Sequence, residues 1–234
     1  MEFDSFVLAA ATDDLSVEPA ARDHADAVEF RMDFATDPLS ALEDYDGALP
    51  VIATNRVDWE GGDAPDDDAR LEALATAAEH DAVGAVDVEL GALDPGRDEN
   101  DAVRDGSWVV DHARERGTSV IASVHDFETT PSRADLDGLL DRATAAGDVG
   151  KLAVTAETPD DVLDLLACTR NHAERGSAIA TMAMGEAGRH SRAVCPLYGS
   201  RIGYAPVDPG NATAPGQYDL ATLRSLIDRL ASES

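Results

Sequence analysis

SVIASVHDFETTPSRADLDGLLDRATAAGDVGKLAVTAETPDDVLDLLACTRNHAERG, residues 119–176, is the stretch that decides the fold. It holds two short apolar runs, SVIASVH (119–125) and KLAVTA (151–156), bounded by Gly, Asp or polar residues. Runs of this length, rich in Val, Ile and Ala, suit strands buried on both faces of a parallel sheet. Each is followed by a helical pattern. RADLDGLLDRATAAG (133–147) puts Leu136, Leu139, Leu140 and Ala143 on one face. TPDDVLDLLACTRNHAERG (158–176) opens with Thr158 as N-cap and Pro159 in the first turn, and stops at Gly176. The unit is therefore strand–helix–strand–helix.

The same alternation extends in both directions. Further candidate strands are FVLAAA (6–11), AVEFRMD (27–33), PVIATNR (50–56), AVDVEL (85–90), AIATMAM (178–184) and RIGYAP (201–206). Helical patterns occupy 69–81 and 218–231. Eight strands, most followed by a helix, predict an α/β fold: a (β/α)8 TIM barrel in a single domain spanning residues 1–234. A doubly wound sheet is the competing architecture. It usually has a glycine-rich first turn, whereas the first strand here runs into ATDDLS.

The chain carries 18 Lys+Arg against 47 Asp+Glu, a formal charge of −29. That charge repels polyanions, so nucleic acid and an anionic membrane surface are excluded as partners. A hydrophobic content of 44% excludes an acidic disordered chain. The acids are spread over helix faces and loops, as on proteins adapted to salt-saturated cytoplasm, where ions screen self-repulsion. The expected consequence is weaker folding in dilute salt. No apolar run is long enough to span a membrane, and the first residues lack a basic leader pattern, so a cytoplasmic protein is expected. Cys168 and Cys195 show no CxxC or Cys/His metal spacing and read as reduced thiols. No two-His metal spacing occurs, so neither metal nor cofactor is expected. His24, His80, His112 and His172 fall in or near charged helices and read as solvated.

Lys151 is the one lysine among the basic residues, and it lies in or beside a buried strand. Arg cannot replace Lys where a neutral, nucleophilic amine is required. Imine formation with a ketone or aldehyde is the chemistry that demands such an amine. The alternative is a neutral lysine left at a strand edge. A phosphate-loop reading of GDVGKL (147–152) fails, because Ala145 and Leu152 stand where Gly and Ser/Thr are needed. His125 ends a strand and leads into a polar loop, where a barrel places a general acid/base; a strand-end histidine with no such role is the alternative. In EFRMD (29–33), Glu29, Arg31 and Asp33 share one strand face, which is too much charge for core filling. TNRVDWEGG (54–62) supplies Arg56 and Glu60, MAMGEAGRHSR (182–192) supplies Arg192, and TAPGQ (213–217) is a Pro-Gly turn. One amine, one imidazole and several arginines point to a small anionic carbonyl substrate.

Taken together and in this order, Glu29–Arg31–Asp33, Arg56 with Glu60-Gly61-Gly62, SVHDFETTP, Lys151, Met184-Gly185 with Ser191-Arg192, and APGQ resemble the type I 3-dehydroquinate dehydratases. The resemblance runs from Glu29 to Gln217. It implies a TIM-barrel hydro-lyase (EC 4.2.1.10) of the shikimate pathway that converts 3-dehydroquinate to 3-dehydroshikimate without metal or cofactor. It also implies roles. Lys151 would form an imine with the C3 ketone, His125 would serve as general acid/base, and Glu60 would orient His125. Arg192 would bind the substrate carboxylate. Glu29, Arg31, Arg56, Thr213 and Gln217 would hold the hydroxyls and the electrostatic frame. The family includes dimers, so a homodimer is an expectation carried by the resemblance alone. Thr213 replaces the usual serine, and RIGYAP departs from the family pattern. Two other readings are a class I aldolase-like Schiff-base barrel and a non-catalytic carboxylate-binding barrel. The first needs a phosphate site in the last two βα loops, which here hold Arg192 and APGQ but no Gly-rich cradle, and Lys151 with His125 argues against the second.

Overall fold

The computed structural model describes residues 1–64, 67–93, 105–207, 210 and 216–231. Among them, eight strands form one sheet: β1 (Val7–Thr12), β2 (Ala27–Arg31), β3 (Val51–Thr54), β4 (Val83–Glu89), β5 (Ser119–Asp126), β6 (Val149–Thr155), β7 (Ile179–Met184) and β8 (Ile202–Pro206). From β1 to β7 each strand pairs in parallel with the next, and β8 pairs in parallel with β1. The seam between β7 and β8 is closed by a parallel bridge from Ile179 to Ser200 and by Arg201 N donating to Ile179 O at 2.6 Å. Eight parallel strands closed with intervening helices are the TIM barrel expected from the sequence.

Alternation along the strands sorts the side chains. Val7, Ala9, Ala27, Ile52, Ala85, Ile121, Val149, Ala180 and Ile202 pack inside the barrel. Their neighbours one residue away, among them Leu8, Val28, Val51, Val86, Val120 and Ile179, face outward and are buried under the helices. Both faces are covered, which is why these strands read as continuous apolar runs rather than as an alternation.

The helical patterns appear as Asp67–Ala77, Arg133–Ala146, Pro159–Glu174 and Leu220–Ala231. Thr158 caps the third: its hydroxyl accepts from Asp161 N while the Asp161 carboxylate accepts from Thr158 N, a reciprocal capping box. Helices Pro38–Glu43 and Ser107–Glu115 complete positions that sequence reasoning left blank. The first is only six residues long, although Asp37 caps it and Pro38 opens it. The second buries Val109, Val110 and Ala113 but follows an acid-rich stretch that obscures its start.

Lys151 and His172 stand deeper in the fold than their sequence context suggests. Lys151 does not open its strand; β6 starts at Val149, so the lysine sits inside the barrel wall and is 4% exposed. His172 is not solvated. It is fully buried between two helices of the outer ring. Thr213 lies outside the described residues.

Candidate active site

The inward positions change character toward the C-terminal ends of the strands. Above the apolar layer of Ile52, Ala85 and Ile121 stand Glu29, Thr54, Asp87, Ser123, Lys151 and Tyr204. The register aligns Thr54 with Asp87, Glu89 with Ser123, and Ser123 with Lys151. His125, two residues beyond Ser123, aligns with Ala153 and so occupies the next layer out. The resulting cavity measures about 490 Å³, counting the solvent at its mouth. It is bounded by Glu29, Arg31, Arg56, Glu60, His125, Lys151, Arg192 and Gln217, with Phe127, Met182, Met184 and Tyr204 as apolar walls.

Lys151 Nζ donates to Asp87 Oδ2 at 2.8 Å, lies 3.6 Å from Glu29 Oε1, and sits 4.2 Å from the centre of the Tyr204 ring. Asp87 also accepts from Arg56 Nη2 at 2.9 Å and from Ser123 Oγ at 2.6 Å. Arg56 further donates to Ser123 Oγ at 2.6 Å and to Glu89 Oε1 at 3.3 Å. Glu89 in turn accepts from Arg70 Nη1 at 2.6 Å. Burial alone would raise the pKa of Asp87, but Arg56 and Lys151 outweigh it and hold the carboxyl well below the usual range. Burial alone would lower that of Arg56; Asp87, Glu89 and Glu60 reverse the sign. The network is thus a lattice of mutually compensated buried charges, the condition under which burying ions is tolerable.

His125 Nδ1 lies 2.8 Å from Glu60 Oε2. Burial, followed by the nearby Arg56 and Lys151, holds the imidazole well below its ordinary pKa, with Asp87 opposing. Burial pushes the Glu60 carboxyl up to about 8, despite Arg56 Nη1 at 3.8 Å. Both partners therefore favour their neutral forms, and one proton lies between Nδ1 and Oε2. The ring nitrogen that Glu60 does not hold, Nε2, is left for other work. Glu60 is delivered by a one-turn 3₁₀ helix, Asp58–Glu60, ended by Gly61 at φ 78°. A Cβ on Gly61 would meet the Phe127 ring at 2.4 Å, and one on Gly62 would meet Arg56 O at 2.0 Å. The Gly-Gly pair after Glu60 is therefore a packing requirement of the His125 pocket, in addition to a turn.

Arg31 is buried and bound through two parallel bonds to Asp33, with Nε and Nη2 donating at 2.9 and 2.6 Å, and it stacks on Phe34. β2 ends at Arg31, so Asp33 stands in the turn after the strand and not on its face as the alternation suggested, and from there it folds back to pair with Arg31. Glu29 accepts from Thr54 Oγ1 at 3.3 Å. Arg192 comes from the short helix Ser191–Val194 after β7 and is 5% exposed. Burial lowers its pKa to about 10, so a bound anion would be favoured there. Gln217 follows Gly216, whose φ is 76° and whose Cβ would collide with Gly185 O at 2.5 Å. The glycines of the Met-Gly and Pro-Gly motifs thus lock the loops after β7 and β8 together.

All the expected site residues within the described part, Glu29, Arg31, Arg56, Glu60, His125, Lys151, Arg192 and Gln217, line this one cavity. Asp87, Glu89, Ser123 and Tyr204 were missed. The signal for the two acids was present: in AVDVEL they stand two residues apart, as Glu29 and Arg31 do in EFRMD. Tyr204 had no comparable signal. It is a buried aromatic whose hydroxyl has no hydrogen-bond partner among the described residues.

A family model described as type I 3-dehydroquinase matches residues 7–233. Over 234 residues the chain is 61% identical to the 3-dehydroquinate dehydratase of Haloarcula marismortui, covering 100% of each chain. It is 53% identical over 227 residues to that of Halobacterium salinarum, covering 97% of this chain and 98% of the relative. The crystal structure of 3-dehydroquinate dehydratase from Geobacillus kaustophilus superposes with a TM-score of 0.83 at 25% identity, covering 99% of this chain and 93% of that one. With these matches over essentially its full length, the chain belongs to the type I 3-dehydroquinase family.

Proposed function

We propose that the chain dehydrates 3-dehydroquinate to 3-dehydroshikimate through an imine on Lys151, with His125 as the proton carrier. Family membership carries the dehydratase activity; the division of labour among residues is our reading. The observation that supports it most is a primary amine buried in the same cavity as an imidazole held by a carboxyl.

The steps follow from the groups present. Lys151 passes a proton to His125 Nε2, the freed amine attacks the C3 carbonyl, and His125 returns the proton to the carbinolamine hydroxyl, which leaves as water and gives a protonated imine. That cation acidifies the C2–H. His125 takes this proton through Nε2, and the electron pair moves into the enamine. The enamine expels the C1 hydroxyl, to which His125 returns the proton, releasing water. Hydrolysis of the conjugated imine frees the product and restores the amine. Asp87 stays ionised throughout, so it positions the lysine and does not donate protons. Arg192 takes the substrate carboxylate. Glu29, Arg31, Arg56, Thr213 and Gln217 hold the ring hydroxyls and the field around them. The direct test is an assay with 3-dehydroquinate, followed by the ultraviolet absorbance of the conjugated enone. No rise in absorbance with folded protein would refute the reading.

Two further outcomes are expected. Arg192→Ala should raise KM about 10- to 100-fold with a smaller change in kcat. This corresponds to the loss of a charge-assisted contact worth about 1.5–3 kcal/mol. Steady-state kinetics would show the opposite if Arg192 acted on the reacting centre.

The pH profile should report the His125–Glu60 pair. Below about pH 8 the carboxyl keeps its proton and donates it to Nδ1, leaving the neutral ring with its hydrogen on Nε2. Above that value the carboxylate accepts Nδ1–H and Nε2 presents a lone pair. The base-competent form therefore grows as pH rises, and kcat/KM should climb through an apparent pKa near 8 belonging to the pair. Glu60→Gln should remove that limb; an unchanged profile in the variant would separate Glu60 from the proton transfer.

A further inference from the structure

Helices Arg133–Ala146 and Pro159–Glu174, which follow the strands carrying His125 and Lys151, pack side by side on the outer ring. Two pairs of polar residues meet between them, each spaced four residues apart on one helix face. Asp137 and Asp141 come from the first helix, and Cys168 and His172 from the second. None of them borders the catalytic cavity.

Cys168 Sγ donates to Asp137 Oδ1 at 3.0 Å. His172 Nε2 lies 3.3 Å from that same oxygen. Despite this distance the alignment is wrong for a hydrogen bond. Neither ring nitrogen of His172 has a hydrogen-bond partner among the described residues, although the residue is fully buried. A buried imidazole left in this state is costly, and it needs an explanation. The ligand atoms offered by Asp137, Cys168 and His172 all lie within 4.8 Å of one another. Around a tetrahedral ion with bonds of about 2.0–2.3 Å, ligand atoms stand roughly 3.3–3.8 Å apart. A side-chain adjustment of well under 1 Å per atom, on the order of rotamer relaxation, would converge them on one point.

We propose that Asp137, Cys168 and His172 form a divalent transition-metal site that staples these two helices, with solvent in the fourth position. Thiolate, imidazole and carboxylate together select zinc or cobalt over calcium or magnesium, which take oxygen ligands. Binding displaces the Cys168 thiol proton to solvent and satisfies the His172 ring. The Asp137 side chain is 31% exposed and gives the ion an entry path. Asp141 Oδ1, 3.8 Å from His172 Nδ1, stands where a carboxylate would orient a ligating imidazole.

The test is cobalt(II) titration of the chelator-treated, reduced full chain. One equivalent should bind with a thiolate-to-cobalt charge-transfer band and tetrahedral visible absorption, both displaced by zinc. Cys168→Ser should lose the charge-transfer band, His172→Gln should weaken binding at least ~10-fold, and Cys195→Ser should leave both unchanged. Turnover of 3-dehydroquinate by Cys168→Ser should persist. Because a variant could fail to fold, thermal unfolding of the unaltered chain provides a second readout. Zinc should raise Tm where equal magnesium does not. Absence of a thiolate band in the unaltered chain, a band surviving in Cys168→Ser, or equal effects of zinc and magnesium would overturn the proposal.

Discussion

Replacing Lys151 by alanine is expected to lower kcat by on the order of 10⁴-fold or more, the scale on which loss of a covalent nucleophile is felt. Two effects must be separated. Removing the ammonium takes from Asp87 and Glu29 the cation at 2.8 and 3.6 Å and leaves Asp87 with Arg56 as its remaining cation. Breaking a buried pair in this way costs about 3–5 kcal/mol of stability, so Lys151→Ala could lose activity by unfolding. Lys151→Arg keeps the positive charge but offers no deprotonable primary amine. It should fold, retain substrate binding in part, and remain as inactive as the alanine variant. Substantial turnover by a folded Lys151→Arg would show that the lysine serves only as a charge.

His125→Ala is expected to slow turnover by at least ~10²-fold while leaving the imine able to form. The reason is positional. The amine and the imidazole occupy successive inward layers of β6 and β5, and only the imidazole is held by Glu60. Deleting the ring removes the proton carrier without touching the lysine's bond to Asp87. An imine that still forms but is neither deprotonated nor hydrolysed quickly should accumulate. Rapid-quench trapping should therefore capture more adduct per site in this variant than in the unaltered enzyme. An unchanged rate would remove His125 from the mechanism.

The fold was legible because both faces of the sheet are covered. Eight apolar runs of six or seven residues stood out against acidic helices, and each corresponds to a strand of the barrel. Boundaries were less clear. Val149 and Gly150 extend β6 before Lys151, but a Gly inside a strand reads as punctuation. The site was legible wherever a charge interrupted an apolar run, as at Glu29, Arg31 and Lys151. Asp87 and Glu89 obey the same rule. They went unremarked because an acid is unexceptional in a chain with 47 of them. His172 was misread for a related reason: flanking charges at Arg170 and Glu174 mark an exposed face, yet the residue two positions away points into the helix interface. Tyr204 could not be assigned from sequence at all, since its place beneath Lys151 follows from barrel closure between β8 and β1.

The acidic surface and the single lysine have separate consequences. A charge of −29 governs solubility and salt response, whereas the lysine governs chemistry. Because the sequence holds no other lysine, Lys151 is its one side-chain primary amine able to form an imine. Borohydride reduction during turnover of 3-dehydroquinate, followed by mass spectrometry of peptides, is therefore unusually clean. A stable adduct is expected on the peptide containing Lys151, with the mass of substrate less one water plus two hydrogens, or of its dehydrated counterpart, and loss of activity in proportion to labelling. An enzyme that stays fully active under these conditions with Lys151 unmodified would contradict the imine mechanism.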